Sequence, residues 1–147
     1  MAWRAESGQA LVLGVLFLGL VLILLLVVPG LAIGYAEHAG VQSAADAAAL
    51  ACASRATTTE YVDARGEVYR ETVAVNPAAG PEAAATAWGN NLAYWPLRTV
   101  SFAALPAGAH CTVQVEVRST IPILRLLHRG PFEFGTTAQA RAYLTPP

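Results

Sequence analysis

Carboxylates, arginines, histidines and a cysteine pair are the side chains in this 147-residue chain that could do acid–base, nucleophilic or metal chemistry. Their spacing assembles none of it. His38, His110 and His128 lie far apart, and no H-E-x-x-H, G-x-S-x-G or glycine-rich phosphate loop occurs. His110 and Cys111 are neighbours, but successive residues of a strand point to opposite faces, so they cannot act side by side there. Glu37-His38 reads as a solvated pair flanking an apolar run, and Glu67 with Glu71 as surface charge on a hairpin. We therefore expect no catalytic, cofactor or metal site, no small-molecule substrate and no enzymatic role. Nucleic acid is an unexpected partner as well. The net charge is −1, the nine basic residues are all Arg, and they form no run.

Cys52 and Cys111 lack metal-binding spacing and leave two readings open. One is a disulfide closing a loop of about sixty residues, a contribution on the order of 4 kcal/mol in the chain-entropy treatment. The other is two small buried apolar side chains that never meet.

The elements that must position these residues are organised around Gln9–Ala36. From Ala10 to Ala36 there is no charge, and Leu, Val and Ile dominate. As a helix this stretch runs roughly 40 Å, against about 30 Å for a bilayer's hydrocarbon core. A secretory h-region is much shorter, about 7–15 residues. The reading is a single membrane span preceded by a polar head, residues 1–8. Pro29 should kink the helix or loosen one turn. Gly30 and Gly34 place two small positions on one face for close helix packing, although glycine is common in membrane helices generally. Arg4 and the α-amino group precede the span, whereas Glu37, His38 and Asp46 follow it. That favours the N-terminus inside and the C-terminal domain outside.

Beyond the span the helix should continue to about Ala56, making residues 9–56 one helical unit. Val41, Ala44, Ala45, Ala48, Ala49 and Cys52 repeat at three and four, a face of small residues. A hairpin follows over Tyr61–Val75, with Asp63-Ala64-Arg65-Gly66 carrying the chemistry of a type I turn and bulge. A second helix should open with Pro81 in its first turn and Glu82 beside the positive end of its dipole. Its apolar stripe is Ala84, Trp88, Leu92 and Trp95. A strand over Leu97–Leu105 then turns through Pro106–Ala109. In the next strand Cys111, Val113, Val115 and Val117 alternate with polar residues. Phe132, Phe134, Ala138, Ala140, Ala142 and Leu144 mark the closing strand. Ile121–Leu127 is too short to span and reads as a short core helix, a membrane-skimming turn or a docking patch. The expected fold class is α+β, a long N-terminal helix followed over residues 57–147 by a small antiparallel sheet and one packing helix.

Two segments together resemble a known pattern. Glu6-Ser7-Gly8-Gln9-Ala10-Leu11-Val12 runs into the apolar helix, and Gln42-Ser43-Ala44-Ala45-Asp46-Ala47-Ala48-Ala49-Leu50-Ala51 follows it. This resembles the TadE/TadG-like proteins of the tight-adherence (Flp) pilus assembly machinery, over roughly the first 55 residues. The resemblance implies a pseudopilin or minor-pilin-like subunit of the bacterial cytoplasmic (inner) membrane, with other pilin-like subunits as partners and a surface pilus as destination. It also implies a prepilin-type leader cut between Gly8 and Gln9. The fifth residue after that cut is Leu13, where pilins and TadE-like proteins carry Glu, and this favours the TadG-like branch. The alternative is a membrane-tethered binding module, or an accessory subunit of a membrane complex unrelated to pili.

Overall fold

A computed structural model describes residues 3–120 and 132–143. Helix α1 (Trp3–Ala53) is followed by β1 (Ala56–Val62), β2 (Val68–Val75), α2 (Ala79–Leu92), β3 (Leu97–Ala107), β4 (His110–Ser119) and β5 (Glu133–Arg141). This is an α+β arrangement with two antiparallel sheets, β1-β2 and β3-β4-β5. The chain divides into two units, Met1–Ala36 and Glu37–Pro147, and the boundary falls within α1.

The first unit is one apolar stretch of helix. α1 begins at Trp3, so residues 3–8 are helical, and the helix continues unbroken through Pro29. From Leu11 to Leu31 the large apolar side chains other than Val21 and Val27 are half-exposed or more, Leu11 and Leu31 both at 69%. Soluble proteins do not present apolar surface on that scale. Within α1, Ala10–Ala53 forms a 44-residue helix long and apolar enough to cross a membrane.

The second unit holds the core. Along its part of α1 the buried apolar positions are Val41, Ala44, Ala45, Ala48, Ala49, Cys52 and Ala53, the three-and-four repeat of a helix with one covered face. They join Val113, Val115 and Val117 of β4, Ala138 and Ala140 of β5, and Ala84 and Trp88 of α2 in one apolar cluster. β4 is the central strand, and its burial alternates along its length as the valine spacing requires. α2 covers β3: Trp88 donates its indole N–H to Thr99 Oγ1 at 3.1 Å, and its ring sits 5.8 Å from that of Phe102.

Several boundaries depart from the sequence reading. α1 ends at Ala53 rather than near Ala56, because Ser54 and Arg55 turn the chain and Ala56 already pairs with Val75. Trp95 lies beyond α2, which closes at Leu92. β3 runs through Pro106, which pairs with Cys111, and the turn shortens to Gly108-Ala109. Pro106 is tolerated because β3 is an edge of its sheet, and Gly108 supplies the positive φ, 57°, that a two-residue hairpin turn requires. The expected Asp63 turn is present. Asp63 O accepts from Gly66 N at 3.0 Å, and Asp63 Oδ1 accepts from the backbone N–H groups of Arg65 and Glu67 at 2.8 and 3.0 Å. The Ile121–Leu127 segment and Leu144 lie outside the described residues.

Candidate functional site

The small-residue face of α1 is the feature of the second unit on which its packing turns. Within the second unit, the helix stripe carries almost no side-chain bulk beyond Cβ, so backbone and sheet can approach closely. Gly40 marks the closest approach. A Cβ added there would lie 2.4 Å from the Trp95 ring, a separation real Cβ atoms do not adopt. Trp95, read from its spacing as a helix-stripe residue, serves instead as the flat surface against which Gly40 packs.

This helix segment is fixed to β4 at both ends. At one end Cys52 and Cys111 form a disulfide, with Cα atoms 6.1 Å apart and both residues fully buried. Of the two readings left open by the sequence, the bridge is the one realised. At the other end Ser119 Oγ donates to Glu37 Oε1 at 3.0 Å, and both residues are buried, at 2% and 1% exposure. The expectation of a solvated Glu37-His38 pair is therefore corrected. Glu37 is inside, while His38 is exposed and stacks on Phe134 with ring centroids 5.6 Å apart. The two residues differ because a helix advances about 100° per residue, so neighbours cannot share a face.

Glu37 was discoverable. It stands four residues before Val41, in register with the buried stripe, just as Ser119 continues the parity of Val113, Val115 and Val117. A search restricted to apolar residues stops one step short of both. Burial raises the Glu37 carboxyl above its usual range, and the Ser119 hydrogen bond opposes that only in part. Its second oxygen, Oε2, is buried without a hydrogen-bond partner. Beside this pair, Gln42 and Thr136 join side chains across α1 and β5.

The remaining residues singled out from the sequence are placed as follows. Gly8 and Gln9 lie within α1, as do Pro29, Gly30 and Gly34, with Gly30 buried and Pro29 exposed. Glu67 and Glu71 are exposed on the hairpin, as expected. Among the described residues, no group of three or more His, Cys, Asp or Glu is placed to hold a metal ion. The grooves are open ones. One of about 540 Å³ runs between the end of α1 and α2, lined by Ser54, Arg55, Glu82, Thr86 and Asn90 together with alanines. Compared with family models, curated proteins and solved structures, the chain matches none.

Proposed function

We propose that this chain is a pilus-assembly subunit of the pseudopilin or minor-pilin type, with no catalytic role. In this reading α1 anchors it in a bacterial cytoplasmic membrane, and the disulfide-tied α+β unit lies outside. The observation that carries the reading is the construction of α1. A charge-free helix long enough to cross a membrane passes directly into a helix with a small-residue face, within one element of 51 residues. The small-residue face is covered by the unit's own sheet, so in this reading contacts with like helices fall on the charge-free part, where Gly30 and Gly34 let backbones approach closely. The resemblance of Glu6–Val12 and Gln42–Ala51 to TadE/TadG-like proteins supports the same reading, as does a disulfide in a unit proposed to face an oxidising compartment.

The test is the mass and N-terminal peptide of the chain recovered from native membranes and from sheared surface material. A chain beginning at Gln9 in the sheared fraction is the expected result. A chain retaining the residues before Gln9 and confined to membranes would remove the filament-subunit assignment.

A further inference from the structure

Glu37 lies in a setting that the packing role of α1 does not require. Its side chain is buried, one oxygen accepts from Ser119, and Oε2 has no partner. An ionised carboxylate in such a place needs a cation or several donors, and otherwise the charge is avoided by taking up a proton.

Among the described residues, the packed faces supply no cation. From β4 the inward residues near this end are Val117 and Ser119, from β5 Phe134 and Thr136, and from β3 Leu97 and Thr99. None of them titrates. α2 contributes Ala84, Trp88 and Leu92 to the core, again without charge. On α1 itself the nearby titratable residues are Tyr35, His38, stacked on Phe134, and Asp46, hydrogen-bonded to Gln42; all three are exposed. The charges of this end of the sheet, Arg98 and the Arg118–Glu133 ion pair, occupy the exposed positions.

We propose that Glu37 is held in the folded second unit as a neutral carboxylic acid, and that loss of its proton to solvent releases the start of this unit's helix from the end of β4. The latch comprises Glu37, Ser119 and the segment up to Val41, with Gly40 against Trp95 moving as part of it. Ionisation makes a buried charge with one hydrogen bond and no cation out of a tolerated polar group, so the docked arrangement weakens as pH rises. The sign follows from linkage. A carboxyl that keeps its proton longer when folded stabilises the fold fully at low pH, and that stabilisation disappears as pH rises from the ordinary glutamate value through its own. Under the topology proposed above, the input is the pH outside the cytoplasm; the latch itself does not depend on that topology.

The experiment uses the full oxidised chain in detergent micelles, labelled with 13C at glutamate carboxyls and titrated from about pH 4 to pH 9. Infrared spectroscopy follows the protonated-carboxyl C=O stretch. One glutamate is expected to remain protonated above about pH 4.3, the ordinary glutamate value, and its band should be missing from Glu37→Gln. Between the ordinary glutamate value and Glu37's own, the wild-type folding equilibrium constant should fall, by up to tenfold per pH unit, relative to that of Glu37→Gln. Trp95 emission, recorded with Trp3 and Trp88 replaced by Phe, should shift to the red over that range. All glutamate carboxyls titrating together near the ordinary value would overturn the proposal, as would wild-type and Glu37→Gln stability curves that run parallel. If Glu37→Gln does not fold, the wild-type infrared titration decides alone. No filament or partner enters these measurements, so their outcome is separate from that of the assembly assignment.

Discussion

Removing the Cys52–Cys111 bridge tests how the second unit is held together. The bridge spans 59 positions, and β1, β2, α2 and β3 all lie inside the loop it closes. Chain-entropy arithmetic for a loop of that length gives about 4 kcal/mol at 25 °C. Domains of this size have total stabilities of about 5–15 kcal/mol, so the loss is a quarter of the total or more. At roughly 4 °C per kcal/mol, Tm should fall by on the order of 15 °C. The effect should begin at the β1–β2 hairpin. A two-stranded sheet is marginal by itself, and nearly all of β1 is exposed, so tethering near Ala56 and Val75 matters most there. The assay is urea unfolding of the full chain in detergent, followed by tryptophan fluorescence. It compares oxidised wild type, wild type reduced in denaturant because both sulfurs are buried, and C52A/C111A. The reduced protein keeps both sulfur atoms, so its difference from the double variant isolates the packing loss. A C52A/C111A stability within about 1 kcal/mol of oxidised wild type would refute the reasoning, since the loop term alone exceeds that.

Three further substitutions probe particular contacts. Gly40→Ala places a methyl into the Trp95 ring and should cost about 1–3 kcal/mol, with Trp95→Leu in the same chain recovering much of it; a double-mutant cycle measures the coupling. Asn76→Ala should cost about 1 kcal/mol in thermal unfolding, because Asn76 Oδ1 accepts from the backbone N–H groups of Ala78 and Ala79 and caps α2 from just outside it. Ser119→Ala removes the hydrogen bond that favours the charged form of Glu37, so it should push that carboxyl further up and carry the loss of stability with rising pH to a higher pH range. An unchanged pH profile in Ser119→Ala would show that the two side chains are not coupled.

Periodicity made most of the architecture legible. The charge-free run through Ala36 corresponds to the exposed apolar part of α1, and the three-and-four repeat from Val41 to Cys52 and the alternation from Cys111 to Val117 each correspond to an element with the expected buried face. Glycine chemistry was equally readable at the Asp63 turn, where Gly66 has φ 82°. What stayed hidden depends on partners distant in sequence. Pro106 reads as a turn residue until β3 is known to be an edge strand, and Trp95 reads as helical until α2 is seen to end at Leu92. Whether two cysteines meet is a question of three-dimensional distance that spacing alone cannot decide. Asn76 was passed over because its capping role shows only in where its oxygen points. Glu37 and Ser119 were hidden for a different reason. Each continues an apolar periodicity with a polar side chain, and a polar residue at the end of a stripe looks like the edge of the core.

Those two residues also solve a problem that the alanine face creates. A smooth stripe of small side chains packs closely but discriminates poorly between registers, because sliding by one turn replaces alanine with alanine. From Glu37 to Cys52 the helix covers about 22 Å at 1.5 Å per residue, and from Cys111 to Ser119 the strand covers about 26 Å at 3.3 Å per residue. The two lengths match closely enough for both ends to meet, with Glu37 on Ser119 and Cys52 on Cys111. Any other register would leave Glu37 against Val117 or beyond the strand, with both of its oxygens unpartnered. The disulfide fixes one end covalently, and the carboxyl–hydroxyl pair penalises every misalignment at the other. Buried polar groups have an accepted use in specifying register at some cost in stability. Here that cost is concentrated at one protonatable group, so the device that selects the register is also the one most sensitive to pH.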